Sequence, residues 1–294
     1  MTELPRKPKL HPGLSVLPYE RGLLVEGTAE QKVFGGPAAR TFLPRLLPLL
    51  DGTRTREDLA GELGHHMAEA IAATLRLLHT TGHLQEGDGD PALPAGVPPG
   101  VAQAVGRMLG TTMTWPNVEA AFQALHASPV LIADTGAPAE RVAELLAASG
   151  DRVTLLAPDH VPAAGEFVVV ASAGEADADV LEQLDAACFD RGAIWLRARL
   201  AGDVLQLGPC FDRRFTPCLA CFHAAVGTPA EGPPDAALAE LAWAIVAGEV
   251  FHQRARVGTP LAADTVATFG LRAWSLRQDA VVRRADCDRC GTAA

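Results

Sequence analysis

The chain has 294 residues, of which 48% are hydrophobic, and its formal net charge is −10 at pH 7. This length accommodates two domains with substantial cores, and no apolar run approaches the ~18 residues of a membrane span. The negative charge argues against a nucleic-acid-binding surface, which is normally basic. The first 86 residues contain ten basic and ten acidic side chains, so the net charge lies beyond them.

Three short β-like runs followed by three helices are predicted before residue 86. The runs are Leu14–Leu17, Leu23–Val25 and Gln31–Phe34, and Gly35-Gly36 ends the last of them. Helices are predicted over residues 38–50, 55–63 and 66–80, the second of which opens on a capping box of Thr55 and Asp58. Three strands followed by three helices indicate a small winged-helix module.

The third predicted helix has two distinct faces. Met67, Ile71, Leu75 and Leu78 recur at helical spacing and indicate the face that packs into the core. The neighbouring face is less apolar and carries small, aliphatic or hydroxyl side chains: Ala70, Thr74, Leu77 and Thr81. Many winged helices bind DNA, but Arg76 is the one Lys or Arg of this helix, so a DNA-binding regulator is the weakest reading.

A linker is predicted over residues 87–100, because GDGDPALPAGVPPG holds four prolines and four glycines without periodicity. We therefore divide the chain into a module at 1–86, this linker, and a second domain at 101–294. In the second domain, strands predicted at 130–133, 153–156, 167–170, 193–196 and 204–207 alternate with helices. That alternation predicts an α/β, doubly wound parallel sheet of the Rossmann type.

The first strand–turn–helix of such a sheet normally holds phosphate on a glycine-rich turn. Here the three fingerprint positions are Asp134, Gly136 and Ala139. An aspartate at the first position adds a Cβ where the turn is tight and a negative charge beside phosphate. We therefore expect no ATP binding.

Two Cys-x-x-Cys pairs lie near the C-terminus, and together they supply Cys218, Cys221, Cys287 and Cys290. Two such pairs predict one tetrahedral zinc ion, and four thiolates leave no open position, so the zinc would be structural. Disulfides or redox-active pairs are the alternatives, and His223 could replace one thiolate. The first ten residues are polar and lack a secretory apolar segment. We therefore expect a cytoplasmic protein, in which thiols stay reduced.

Two further segments carry a family resemblance. The segment Leu207–Cys221, with Gly208-Pro209 and Thr216-Pro217-Cys218, resembles E1-like proteins of the ThiF/MoeB superfamily from clusters that make thiazole- and oxazole-modified peptides. The segment Leu49–Thr53 (LLDGT) is similar to the PqqD-like recognition element of ribosomally synthesised and post-translationally modified peptide (RiPP) pathways. Module, linker and E1-like domain occur in this order in the "ocin-ThiF-like" partners of YcaO-type cyclodehydratases.

This resemblance implies a protein that is not an enzyme and that binds the leader of a precursor peptide. It would deliver the peptide to a separate ATP-dependent YcaO cyclodehydratase that forms thiazoline and oxazoline rings, as in thiopeptide-like antibiotic biosynthesis. A homodimer is compatible with the resemblance; a nucleic-acid or membrane partner is not expected. The alternative is an ATP-dependent E1-like adenylyltransferase acting on a peptide carboxylate.

The resemblance also implies where the leader binds. It would pair with the edge of the three-stranded sheet, and a groove beside the third helix would take its side chains. The residues expected in this site are Gln31, Lys32, Val33 and Phe34 on the strand and Ala70, Thr74 and Leu77 on the helix.

Overall fold

The computed structural model describes residues 3–27, 31–87, 92–133, 136–156, 160–174, 178–227, 232 and 234–291. The chain forms two compact units, Met1–Ala124 with Ala255–Thr259, and Leu125–Arg254 with Pro260–Ala294. The first unit therefore continues past the linker predicted at residues 87–100. None of the described helices is long and apolar enough to cross a lipid bilayer.

The first unit contains the three strands predicted from the sequence. β2 (Ser15–Tyr19), β3 (Gly22–Glu26) and β4 (Lys32–Gly35) form an antiparallel sheet in the order β2-β3-β4. A separate two-stranded ladder joins β1 (Pro8–Leu10) to β5 (Leu84–Glu86). The sequence did not predict this ladder, since its strands are short and about 80 residues apart along the chain.

The first helix predicted for the module is divided into shorter elements in the structure. One helix was expected over residues 38–50, bent or shortened by Pro44 and Pro48; the chain instead forms α1 (Pro37–Thr41), α2 (Leu43–Leu46) and a 3-10 turn at Leu47–Leu49. Each of these begins with proline at its first or second position, because proline is tolerated there but disrupts a helix interior.

The second and third predicted helices are present as α3 (Arg56–Leu63) and α4 (Ala68–Thr80). The capping box at the start of α3 is confirmed: the Asp58 backbone N–H donates to Thr55 Oγ1 at 3.2 Å, and the Thr55 N–H donates to Asp58 Oδ2 at 2.9 Å. On α4 the predicted core face is buried, with Ile71, Leu75 and Leu78 each 1% exposed.

Two helices come next: α5 (Pro99–Thr112), which begins within the predicted linker, and α6 (Val118–Ala127). α5 approaches the end of α4 through a pair of glycines, Gly82 and Gly110, and a Cβ on Gly110 would collide with the carbonyl of Gly82. This close backbone approach explains why both positions are glycine. The helix packs its Val105 and Leu109 inward, both at most 2% exposed.

A seven-stranded sheet forms the second unit, in the order β12-β11-β10-β9-β8-β6-β7. Its strands are β6 (Val130–Ala133), β7 (Val153–Leu156), β8 (Phe167–Ala173), β9 (Ile194–Ala201), β10 (Val204–Phe211), β11 (Thr265–Gly270) and β12 (Ser275–Ala280). Its helices are α7 (Ala137–Ala148), α8 (Ala178–Arg191), α9 (Leu219–Ala225) and α10 (Ala236–Ala255).

This sheet is mixed, not wholly parallel as predicted. β7, β6, β8 and β9 run parallel, whereas β10, β11 and β12 each pair antiparallel with their neighbours. Only Gly202 and Asp203 separate β9 from β10, and a parallel connection needs a dozen residues or more. The α/β class is confirmed; the winged-helix and E1-like assignments stay predictions.

Candidate functional site

The four cysteines of the two Cys-x-x-Cys pairs form one buried cluster. Cys218, Cys221, Cys287 and Cys290 are at most 9% exposed, and their sulfurs all lie within 4.8 Å of one another. The sulfurs of Cys218 and Cys287 are 3.6 Å apart and those of Cys221 and Cys290 are 3.5 Å apart. These distances exceed the ~2.05 Å of a disulfide bond, so the four residues are thiols.

The local backbone brings each pair together. Cys218 caps the N-terminus of α9, which places Cys221 on the same side one turn later. In the second pair, the Gly291 N–H donates to the Cys287 carbonyl at 2.9 Å, closing a tight turn. The Arg284 N–H points at Cys221 Sγ at 3.4 Å, so a backbone donor of the second segment supports a thiolate of the first.

The geometry of the cluster fits a metal ion. In a tetrahedral site with metal–sulfur distances of about 2.3 Å, neighbouring sulfurs lie ~3.8 Å apart, close to the observed separations. Hydrogen bonds from the backbone N–H groups of Cys290 and Arg289 lower the pKa of Cys287 to about 6, which favours the thiolate that a metal requires. Burial raises the pKa of Cys218 and of Cys290, so at these two positions the thiolate depends on the metal itself. The predicted zinc ligands are therefore brought together within metal-binding distance.

The remaining sulfur and imidazole candidates lie outside the cluster. Burial raises the pKa of Cys188 to about 12 and also raises that of Cys210, so both behave as buried apolar side chains. His223 is exposed on α9, and among the described residues the metal-binding group consists of the four cysteines alone.

A buried carboxylate that the sequence did not single out supports the cluster. Asp185 on α8 is 2% exposed and accepts from Trp195 Nε1 at 3.1 Å, from the Leu219 N–H at 3.3 Å, and from Arg289 Nη1 at 2.5 Å. One side chain thus connects β9 of the sheet, the first Cys-x-x-Cys turn and the second. No local motif signals this role, because the three donors are distant in sequence.

The predicted peptide-binding strand lies at an edge of the small sheet. β4 pairs with β3 on one side, through Leu23–Phe34, Leu24–Val33 and Val25–Lys32, and no described strand pairs with its other side. The other edge, β2, contains Pro18, which has no N–H to offer. β4 contains no proline, so it is the better template for an added strand.

The predicted groove residues are placed as follows. Val33 is 53% exposed, Leu77 is 50% exposed, Ala70 is exposed and Thr74 is half-buried, while Gln31 is exposed and Lys32 is half-buried. Phe34 is directed inward: its ring meets His83 edge to face at 5.7 Å and packs against the core of the unit. The peptide-binding role of all seven residues stays a prediction.

The carboxyl ends of the parallel strands form a second candidate site. The strand order reverses between β6 and β8. From β6 the chain passes to β7 on one side of β6, and it then returns to form β8 on the other side. Ligands of open α/β sheets bind at such switch points. Of the predicted fingerprint, Asp134 lies outside the described residues; Gly136 caps α7 with φ 83°, and Ala139 is fully buried.

A buried arginine lies on β9, the strand that pairs with β8. Arg199 on β9 is fully buried, and its Nε donates to the carbonyl of Gly174, directly after β8, at 3.2 Å. Arg197, two residues earlier, is also buried, and its guanidinium carbon lies 5.3 Å from the Phe222 ring centre. Two arginines alternate with apolar residues in the strand Ile194–Ala201. This pattern could have indicated buried positive charge, but the sequence prediction did not include it.

Comparison with known proteins gives matches to solved structures. No protein-family model and no curated protein matches the chain. A heterocyclase in complex with substrate and cofactor superposes with a TM-score of 0.71 at 20% identity, over 97% of this chain and 39% of that chain. The heterocyclase TruD gives 0.72 at 20% identity, over 98% and 43%. The chain therefore spans about two fifths of these heterocyclases.

E. coli MccB matches from end to end. With MccA-N7isoASN it gives a TM-score of 0.72 at 13% identity, over 97% of this chain and 99% of MccB. Its complex with ATP gives 0.69 at 13% identity over the same shares. Both units of the chain therefore share the fold of these proteins.

These matches correct one prediction. The chain was expected not to be an enzyme, but the folds that it shares are those of heterocyclases and of MccB, which has been solved with ATP. The prediction rested on the family resemblance, in which a separate YcaO chain uses ATP, and the aspartate at position 134 agreed with it.

Proposed function

We propose that the chain is an E1-like, ATP-dependent enzyme of ribosomal peptide modification that adenylates a carboxylate of a bound peptide. The observation that carries the proposal is the match to MccB, which covers 97% of this chain and 99% of MccB. The heterocyclases match at higher identity but share only part of their length. The match to MccB includes both units of the chain, and this favours the MccB type of activity.

The nucleotide would bind at the switch point between β6 and β8. The N-terminus of α7 would offer phosphate the Ala137 N–H and the positive end of the helix dipole; Pro138 has no N–H, and the Ala139 N–H already donates to the Gly136 carbonyl at 2.9 Å. Arg199 would add a buried positive charge close to Gly174. A carboxylate oxygen of the peptide would attack the α-phosphorus, forming an acyl-adenylate bond while the bond to pyrophosphate breaks. Positive charge at this edge stabilises the negative charge that develops on the phosphates.

The peptide would be held by the first unit. Its backbone would pair with the free edge of β4, and alternate side chains would contact the face of α4 that carries Ala70, Thr74 and Leu77. Val33 and Leu77 are both about half exposed, which gives this surface two apolar contact points. MccB has been solved with MccA, which supports a peptide as the partner.

The four-cysteine cluster would bind one zinc ion with a structural role. Four thiolates complete a tetrahedral coordination sphere, so the ion has no position for water or substrate. The cluster closes the segment between Cys218 and Cys290, which includes α9, α10, β11 and β12. Zinc would thus stabilise the second unit and take no part in the chemistry.

Nucleotide binding tests the proposal directly. Titration of the full chain with Mg-ATP in a calorimeter should show saturable binding, and Arg199→Met should weaken it at least tenfold if Arg199 contacts phosphate. Arg107→Met, an exposed position on α5, is the matched control. Circular dichroism must show that both variants are folded. Absence of heat at millimolar Mg-ATP with the folded wild-type chain would refute an ATP-dependent activity.

A second candidate is that the chain is one component of a ring-forming heterocyclase whose remaining part is a separate YcaO-type chain. The higher identity to the heterocyclases, 20% against 13% for MccB, favours it. Mixing the chain with a YcaO protein and a precursor peptide should then cause ATP-dependent loss of one water per ring, measured by mass spectrometry. Pyrophosphate release by this chain alone with peptide would instead support the first candidate.

A further inference from the structure

The first unit contains a cleft of about 690 Å³. Its lining comes mainly from the N-terminal residues 3–6, from β5, and from residues 109–110 and 113–116. None of the seven residues predicted to bind the leader peptide belongs to this lining. Small-molecule sites in proteins commonly measure about 300–1,000 Å³, so the cleft is large enough to hold one ligand.

The apolar side chains of the lining are held in place by the unit itself. Leu84 and Leu109 are 5% and 2% exposed. Trp115 is half-buried, and its Nε1 donates to the Ala255 carbonyl at 2.6 Å, which fixes the indole ring. Met113 has a φ of 50°, a left-handed conformation that is strained for a residue other than glycine and is found most often at ligand sites. A preorganised lining of this kind favours an apolar ligand.

The lining also contains an arginine that has no partner. Arg56, the first residue of α3, is exposed, and no hydrogen bond or ion pair joins its guanidinium to any other described residue. The nearby Arg54, in contrast, pairs with Asp51 and Glu62, each at 2.6 Å. An unpaired guanidinium beside an apolar lining favours a carboxylate, which can accept two parallel hydrogen bonds from it.

The acidic side chains of the lining leave this positive charge available. The carboxylate of Glu86 accepts from the backbone N–H groups of Arg6 at 2.6 Å, Lys7 at 2.9 Å and Gly87 at 3.0 Å, so its oxygens are already engaged. Glu3 is exposed, and water and salt screen its charge. Neither side chain therefore neutralises Arg56.

Two histidines complete the polar part of the lining. Burial lowers the pKa of His11 to about 4 and also lowers the pKa of His79, so both are neutral at pH 7. His11 is 4% exposed, and its Nδ1 has no hydrogen-bond partner among the described residues. Buried polar atoms are normally satisfied by protein, water or ligand. Neutral imidazoles can hydrogen-bond a ligand without selecting its charge, so charge selection depends on Arg56.

We propose that this cleft binds a carboxylate that is attached to an aromatic or branched aliphatic group. The carboxylate pairs with Arg56, and the apolar group packs against Leu84, Leu109 and Trp115. This site is separate from the nucleotide and peptide sites proposed above, and its test does not depend on them.

Three probes that share an indole ring test the charge selection. Calorimetric titration of the full chain should show that indole-3-propionate binds about fivefold or more tightly than indole-3-propionamide, which lacks the charge. Tryptamine, which is positively charged, should bind more weakly than either. N-acetyltryptophan resembles the C-terminus of a peptide: binding tighter than that of indole-3-propionate assigns the site to a peptide terminus, and weaker binding assigns it to a free acid.

Three variants place the probe in the cleft. Arg56→Gln should remove the preference for the acid over the amide, whereas Arg107→Gln, at an exposed position of α5 outside the lining, should retain it. Thr114→Trp fills the cleft and should weaken both probes equally. Circular dichroism checks that each variant is folded. The proposal is overturned if indole-3-propionate does not bind at millimolar concentration, if tryptamine binds as tightly, or if Arg56→Gln keeps the full preference for the acid.

Discussion

Removal of the Asp185 carboxylate should destabilise the second unit more than any surface change on the same helix. Asp185→Ala takes away an acceptor shared by Trp195 Nε1, the Leu219 N–H and Arg289 Nη1. Trp195 and Leu219 are 1% and 2% exposed, so water does not replace the lost acceptor. Arg289 has a side chain that is 38% exposed and remains partly hydrated.

The expected magnitude follows from these three donors. Each buried donor left without an acceptor costs about 1–3 kcal/mol, whereas loss of the half-exposed arginine contributes at most about 1 kcal/mol because solvent screens it. These contributions sum to about 2–7 kcal/mol. Breaking a buried ion pair usually costs about 3–5 kcal/mol, and we take this narrower range as the expected loss in the free energy of unfolding. For a unit of this size the unfolding temperature should fall by roughly 6–20 °C.

Differential scanning calorimetry of the metal-loaded chain measures this shift. The matched control is Asp190→Ala, which removes an exposed carboxylate from the same helix and should change the free energy of unfolding by less than about 0.5 kcal/mol. Metal content measured on the same samples should stay at one equivalent for the control. If Asp185→Ala unfolds at the same temperature as Asp190→Ala, Asp185 does not support the cluster.

Three further predictions concern the cluster, the edge strand and a buried histidine. Cys290→Ser should lose bound zinc, measured by mass spectrometry of metals, whereas Cys188→Ser should retain it; equal zinc in both variants would contradict the four-cysteine site. Val33→Asp should abolish binding of a fluorescent precursor peptide, while Val16→Asp on the opposite edge should bind it normally; similar affinities would exclude the β4 edge. Burial lowers the pKa of His11 to about 4, so the folded state disfavours its protonation. The stability due to neutral His11 is complete above pH 6.5 and is lost as the pH falls towards 4, by up to about 3 kcal/mol. In His11→Gln, the free energy of unfolding measured by urea denaturation should change less between pH 6.5 and pH 4 than in the wild type. An unchanged dependence on pH would refute this assignment.

The elements that the sequence predicted well are those whose determinants are local. The capping box of Thr55 and Asp58 needs only its i, i+3 spacing, and the buried stripe of Ile71, Leu75 and Leu78 is visible from helical periodicity. The elements that it missed depend on distant partners. β1 exists because β5 pairs with it from about 80 residues away, and no local pattern in Pro8–Leu10 indicates a strand.

The candidate sites follow the same division. Cys-x-x-Cys spacing is a local signal, and it predicted all four residues of the metal-binding group. Asp185 lies in an ordinary amphipathic helix, and its role arises only when α8, β9 and both cysteine turns meet. Arg199 was missed for a different reason: the strand prediction ended at Leu196, although the strand continues to Ala201.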